Sequence, residues 1–332
     1  MLTFQQLANI FEKSQNFVII SHINPDADAI GSELAFLKAL QFRKKNAKII
    51  NHSETPDFVA FLDEQNEIEV YRPEVHDKII ENADVILIVD LSNLSRVGSV
   101  EEIIRKSNKT TIYFDHHQNP DDFTDLQIIN TEKVAVGEMV FDFLTETQFA
   151  PISKQIANAI YTAILTDSGY FRYERTTSHT YNIAGILLEI GVNPKWIFEM
   201  LYEQNSLIRS HLLGFALISS ELHGGGKICS ITIRNDILSK LNANESDIEG
   251  ITSYTLSIKN VRIGLVFVEY ENEIKASFRS RGTIPMNKLA SEFGGGGHIN
   301  AAGIRLENIN FDEIRNKIIN RAIEYLDMEE KK

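Results

Sequence analysis

Two rhythms of apolar and polar positions divide this chain. Residues 17–20, 47–51, 84–90 and 110–115 are short stretches centred on Val, Ile, Phe and Tyr and closed by polar or turn residues. Such runs read as buried strands. Between them apolar residues recur at helical spacing. Segments 3–14 and 29–42 are predicted helices, the second with Leu34, Leu37 and Leu40 on one face. A helix at 57–65, a short strand at 67–71 and a short helix at 98–107 complete a β-α-β-α alternation. That alternation predicts an α/β fold, a mostly parallel sheet with helices on both faces. Helices follow at 133–147, 153–166, 178–190, 194–203 and 206–221. After the turn at Gly224-Gly225-Gly226 the character changes. Strand-like stretches at 228–234, 252–258, 261–270 and 273–281, a helix at 286–292, a strand at 302–306 and a helix at 311–327 predict a second, smaller α/β domain. The expected organisation is a first domain at 1–190, a helical connector at 191–221 and a second domain at 222–330.

Parallel sheets bind ligands beyond the carboxyl ends of their strands. Here one strand ends in His22 with Asp26 and Asp28, another in Asp90, and a third in Asp115-His116-His117. The helix at 153–166 runs into Asp167. If the third strand keeps its direction, His116 and His117 point to opposite sides. Asp26 alone could be a helix cap; with Asp28, His22 and the intervening Pro25 it suggests a cation. Four carboxylates (Asp26, Asp28, Asp90, Asp167) and two imidazoles (His22, His116) suit hard divalent ions. The histidines shift the choice toward Mn²⁺ over Mg²⁺, with Fe²⁺, Co²⁺ and Zn²⁺ also compatible. Six ligands exceed what one catalytic ion needs and fit two ions ~3.5–4 Å apart that share a carboxylate.

The 332 residues carry 33 Lys+Arg against 46 Asp+Glu, a formal net charge of −13. That balance argues against a broad basic surface for long nucleic acid and leaves room for a local basic pocket. Cys229 is the only cysteine, which excludes an intrachain disulfide and fits a reducing compartment. The start has no signal-peptide core, and no apolar run reaches the ~18 residues of a membrane span. A cytoplasmic protein without membrane attachment is expected.

The ordered motifs resemble those of the DHH phosphoesterases, which include RecJ exonucleases, family II pyrophosphatases and hydrolases of short oligonucleotides. They are His22-x-Asn24-Pro25-Asp26-x-Asp28-Ala29-Ile30-Gly31-Ser32, then Val89-Asp90 with Arg96, then Asp115-His116-His117, then Thr166-Asp167. Ser277-Phe278-Arg279-Ser280-Arg281, Phe293 to His298 and Ala301-Ala302-Gly303 are similar to the DHH-associated C-terminal domain. The resemblance covers nearly the whole chain and is greatest to the bifunctional oligoribonucleases and pAp phosphatases. Alanine stands at position 27, where many members carry glycine.

The resemblance implies one ion held by His22, Asp26 and Asp90, and a second held by Asp28, Asp90, His116 and Asp167. It places His117 on the scissile phosphate, and Asp115 is expected to orient a neighbouring histidine. Arg279, Ser280, Arg281, Gly295, Gly296, Gly297, His298 and Arg96 are candidate substrate contacts. Two arginines on one strand face suit a terminal phosphate, although a solvated edge looks the same in sequence. A glycine run can be a linker or can bring backbone N–H groups to a phosphate; inside a domain the second use is favoured. The implied activity is Mn²⁺-dependent hydrolysis of short RNA or DNA fragments and of 3′-phosphoadenosine 5′-phosphate. Rival readings are a linear-dinucleotide phosphodiesterase, a pyrophosphatase or exopolyphosphatase, and a non-catalytic nucleotide sensor. Oligomeric state, a homodimer among the options, is not legible.

Overall fold

A computed structural model describes residues 2–118, 123–124 and 126–330. The chain divides into two units, Met1–Gln204 and Asn205–Lys332. In the first, the strands are β1 Asn16–Ile20, β2 Asn46–Asn51, β3 Ile68–Val70, β4 Val85–Val89, β5 Thr110–Asp115 and β6 Gln127–Ile129. They form one sheet in the order β3-β2-β1-β4-β5-β6, with every pairing parallel. The helices are α1 Phe4–Lys13, α2 Ala27–Phe42, α3 Pro73–Glu81, α4 Glu101–Lys106, α5 Val136–Thr147, α6 Lys154–Asp167, α7 Ser178–Ile190 and α8 Pro194–Tyr202. Strand order reverses between β1 and β4, so the switch point lies between the strand that leads to His22 and the one that leads to Asp90. A doubly wound sheet places its ligands at that crevice.

The core explains why α2 is so apolar. It is buried along nearly its whole length, in the cluster that joins α1, α5 and α6 to one sheet face. A helix apolar all round is one enclosed on all sides. The close approach of α2, α5 and α6 depends on two glycines. A Cβ at Gly31 would lie 2.5 Å from the Ala159 carbonyl oxygen, and one at Gly137 would lie 2.5 Å from Ala163 Cβ. These contacts set the spacing of the helices that carry Asp28 and Asp167.

The second unit contains α9 Leu207–Ile218, β7 Glu221–His223, β8 Ile228–Ile233, α10 Asn235–Leu241, α11 Glu245–Ile248, α12 Ile251–Ser257, β9 Ile263–Glu269, β10 Glu273–Ser280, α13 Met286–Ser291, β11 Gly296–His298, β12 Ala301–Glu307 and α14 Phe311–Glu330. Its sheet runs β11-β12-β10-β9-β8-β7. Only β8 and β9 pair in parallel. The segment read from sequence as a connector is shared: α8 lies in the first unit and α9 in the second. No described helix is long and apolar enough to cross a membrane.

Three expected elements differ. Residues 57–65 form only a 3₁₀ turn at Ala60–Leu62. The helix expected at 206–221 stops at Ile218, and Glu221 opens β7. The strand expected at 252–258 is α12, whose buried residues Ile251 and Thr255 stand one helical turn apart. Thr255 packs where β9 has Gly264, and a Cβ there would lie 1.8 Å from Thr255 Oγ1. Helix-on-sheet packing overrides the β-branched composition.

Candidate metal centre

The ends of β1, β4 and β5 and two helix termini bring the candidate ligands together. Asp26 caps α2: its Oδ1 accepts from the Asp28 and Ala29 N–H groups at 2.9 and 3.0 Å. Its Oδ2 is left toward His22 Nε2, 3.9 Å away. The cap reading and the cation reading therefore apply to different oxygens of one carboxylate. Asp28, buried on the first turn of α2, accepts from the Val136 and Gly137 N–H groups at the start of α5, at 2.7 and 2.9 Å. A helix N-terminus is a natural seat for that anion.

Asp90 stands at the centre. It follows β4 with φ +58, a left-handed conformation that Asp tolerates better than most residues. Its Oδ2 is 3.8 Å from His22 Nε2, and its Oδ1 is 3.7 Å from both His116 Nε2 and His117 Nδ1. Oδ1 is buried without a hydrogen-bond partner. His116 Nε2 also lies 3.8 Å from Asp28 Oδ2 and 3.4 Å from Asp167 Oδ2. These separations exceed hydrogen bonds and match the spacing of about 3–4 Å between atoms that share one cation at about 2.1 Å. The ligand atoms of His22, Asp26 and Asp90 form one such group, and those of Asp28, His116 and Asp167 another. Asp90 turns one oxygen to each.

The two histidines do not take opposite sides. The strand ends at Asp115, so strand alternation no longer applies, and both rings approach Asp90 Oδ1. Their other contacts distinguish them. His116 Nδ1 is 3.0 Å from the Lys133 carbonyl, which leaves Nε2 for the carboxylates. His117 Nδ1 is 2.7 Å from Asp115 Oδ1, and Asp115 is itself fixed by the Tyr113 hydroxyl, 2.7 Å from Oδ2. Asp115 thus orients His117, whose Nε2 is not used by that pair. His22 Nδ1 is 2.9 Å from the Ile23 carbonyl, with Arg96 Nη2 at 3.3 Å.

The electrostatics favour positive charge, from protons or a cation, among these carboxylates. Burial and the charge of Asp26 push Asp28 up to about 7, against the α5 N–H groups. Burial and Asp28 push Asp167 up to about 7. Burial and the surrounding Asp28, Asp26 and Asp167 raise Asp90 well above the carboxylate range. Burial lowers His22 and His116. For His117 burial opposes charging, but Asp115 outweighs it and the imidazole titrates higher than usual. Carboxylates so placed repel one another unless positive charge enters. The orphaned Asp90 oxygen and the mixed O/N donor set fit divalent metal.

A separate group, Glu138, Asp142 and His179, already holds a cation. Lys133 Nζ is 3.1 Å from Glu138 and 2.6 Å from Asp142. This pairing fixes the residue whose carbonyl orients His116. Sequence reasoning missed it, because charged residues at 133, 138 and 142 look like a solvated helix face.

Glu33 was also missed. It is fully buried on α2; Asn51 Nδ2 donates to its Oε2 at 2.9 Å, and the Ser21 N–H donates to Asn51 Oδ1 at 3.1 Å. This chain of bonds ties α2 to the β1 end just before His22. Burial pushes Glu33 up to about 8, against the opposing pull of Asn51 and Ser21. Its folded pKa lies above the unfolded one of 4.5, so stability falls as pH rises from about 4.5 to about 8. The cost is at most about 1.4 kcal/mol per pH unit. Glu33→Gln should remove that slope. Its Tm relative to wild type, followed from pH 5 to pH 8, should rise by several degrees; a flat difference would show that Glu33 is ionised in the fold.

The second unit's candidates lie on β10, β11 and the turn after β10. Arg279 and His298 are exposed; Arg281 Nη2 donates to the Leu256 carbonyl at 2.8 Å. Ser280 is buried, its hydroxyl donating to the Ile284 carbonyl at 2.7 Å and accepting from Asn300 Nδ2 at 3.0 Å. The glycine run has a packing cause. A Cβ at Gly295 would lie 2.2 Å from the Gly303 carbonyl oxygen, and one at Gly297, φ +142, would lie 2.5 Å from that of Ala301. Gly296 has open space around it.

Known families match both parts of the chain. Residues 16–164 match the DHH family N-terminal domain, and residues 225–325 match the DHHA1 domain. A protein of Thermus thermophilus named bifunctional oligoribonuclease and PAP phosphatase NrnA is 29% identical over 309 residues, 93% of this chain and 89% of that protein. Its namesake in Bacillus subtilis is 28% identical over 291 residues, 86% of this chain and 88% of that protein. The crystal structure of an exopolyphosphatase-related protein from Bacteroides fragilis superposes with a TM-score of 0.89 at 33% identity, covering 97% of this chain and 95% of that one. With both domains in order and the motif residues gathered at one sheet end, the chain belongs to the DHH phosphoesterase family.

Proposed function

We propose that this protein hydrolyses short oligonucleotides and 3′-phosphoadenosine 5′-phosphate, with two divalent cations, Mn²⁺ by preference. One observation carries the reading: the two oxygens of buried Asp90 face two separate groups of metal-type ligands. His22, Asp26 and Asp90 would hold one ion, and Asp28, Asp90, His116 and Asp167 the other. Bound there, the pair would acidify a water and neutralise charge on the phosphoryl oxygens. The protein's own contribution is positional. Asp115 holds His117 by Nδ1, so that Nε2–H can donate to a phosphoryl oxygen as charge builds there. Lys133 and Ile23 set the tautomers of His116 and His22. Arg279, Arg281, His298 and the backbone at Gly296 are the second unit's candidate contacts to a nucleotide. Localised contacts of this kind, on a chain of charge −13, favour about two to five nucleotides over long strands.

The names of the relatives support the substrate class. The test is a hydrolysis panel of pAp, pApA, a trinucleotide, a long single strand and pyrophosphate, run with Mn²⁺ and with excess chelator. The short nucleotides should be cleaved only with metal, and the long strand and pyrophosphate poorly. Chelator-resistant hydrolysis would sink the metal assignment. Equal or better rates on long strands would indicate a processive exonuclease.

A further inference from the structure

We infer that the loop following Asp167 is a nucleobase-stacking subsite on the catalytic unit, with the Tyr173 ring as its platform and Arg172 and Arg175 beside it. The inference rests on the nucleotide hydrolase reading above and adds a place for a base.

The loop is built to hold a ring outward. Gly169, Tyr170 and Phe171 all adopt positive φ, +56, +65 and +61. For two bulky aromatic residues that conformation costs energy, and it persists only where surrounding bonds enforce it. They do so here. The Gly169 N–H donates to the Thr166 carbonyl, that of Tyr170 to Leu165, and those of Arg172 and Tyr173 to Ser168, all at 2.9–3.0 Å. The loop is therefore wound back on the last turn of α6, the turn that presents Asp167.

Tyr173 lies over Gly169. A Cβ at Gly169 would come within 2.4 Å of Tyr173 Cζ and within 2.6 and 2.7 Å of its Cε atoms. One ring face is thus backed by main chain, while the residue is 56% exposed. Arg172 is fixed by its Nε, which donates to the Gly169 carbonyl at 2.6 Å, and its guanidinium lies over the Tyr170 ring, 5.2 Å from the centre, and more distantly over that of Tyr173, at 5.9 Å. Among the described residues Arg172 touches no carboxylate. Tyr170 is braced in turn by Tyr202, ring centres 4.9 Å apart. Arg175 is near enough to Asp167 to oppose the rise of its carboxyl. Its Nη1 reaches the Thr131 and Lys133 carbonyls at 3.3 Å. A backed, exposed aromatic ring with a guanidinium against it, and a second arginine near Asp167, is the chemistry of base stacking beside a phosphate. In an acidic protein, Arg172, with no carboxylate partner among the described residues, and Arg175, near Asp167, suit an anionic aromatic ligand next to a candidate metal centre.

The experiment compares wild type, Tyr173→Ala and Tyr173→Phe on pApA and on the same dinucleotide with one base removed. Tyr173→Ala should raise KM for pApA about tenfold, the scale of one lost stack, with kcat little changed. Tyr173→Phe should restore the wild-type KM, and the abasic substrate should discriminate little between the proteins. In parallel, a non-hydrolysable dinucleotide containing 2-aminopurine reports stacking by fluorescence quenching, which should be seen with wild type and Tyr173→Phe and lost with Tyr173→Ala. An unchanged KM and quench in Tyr173→Ala would overturn the subsite and leave the hydrolase standing. So would an equal loss on the abasic substrate. Quenching by a wild-type protein that cleaves no nucleotide would overturn the hydrolase reading and leave the subsite standing.

Discussion

Replacing Asp90 by Asn should lower hydrolysis by at least about 10³-fold, more than the loss of a single transition-state donor. Asn is the informative substitution because it tolerates φ +58 as Asp does, so the backbone need not move. What is lost is the charge that each ligand group shares. Asp26→Ala should be milder, since the Asp26 side chain is 56% exposed and borders one group only. A second effect has the opposite sign. Without metal, Asp90 is a buried carboxylate with an unpaired oxygen beside other carboxylates. Removing its charge should therefore raise the Tm of the metal-free protein, by roughly 2–4 °C for each kcal/mol of repulsion relieved. The stabilisation that Mn²⁺ gives wild type by binding only the folded state should disappear. An inactive variant whose metal-free form is less stable than wild type would mean that Asp90 holds the fold rather than the ions.

His117→Ala should lower kcat by about 10²-fold, the effect of one transition-state hydrogen-bond donor, while metal content stays that of wild type. The proposed roles rest on different contacts. His116 offers Nε2 to three carboxylates, whereas the His117 nitrogen nearest Asp90 is already paired with Asp115 at 2.7 Å. Asp115→Asn should reproduce part of the kcat loss, because it removes the partner that holds and charges the ring. Metal analysis of the purified variants alongside kcat decides the matter. If His117→Ala loses metal in step with activity, His117 is a ligand.

The candidate site was legible because its residues follow apolar runs. The strand read at 84–90 also marks where the chain emerges, and β4, Val85–Val89, stops one residue before Asp90. The same holds for His22 and for Asp115 to His117. Legibility ended where the support is tertiary. Glu33 sits in helical register with Leu34 and Leu37, and nothing local says that it meets Asn51 across the layer. Lys133 orients His116 through its carbonyl, a contact with no side-chain signature. The expected divergence of His116 and His117 failed because the strand ends at Asp115, as read, and its alternation does not extend to the two rings that follow. The glycines of the run were read for what they could bind, and two of them are explained by what they pack against. In the second unit α12 was read as a strand because Ile, Thr and Tyr outweighed a helical period only two buried residues long.

Titration of metal-free wild-type protein with Mn²⁺, with bound ions counted by electron paramagnetic resonance and calorimetry, tests the central claim most directly. Two ions per chain are expected, close enough for their spins to couple, because Asp90 faces both groups. A single ion, or two magnetically independent ones, would contradict a centre bridged by Asp90.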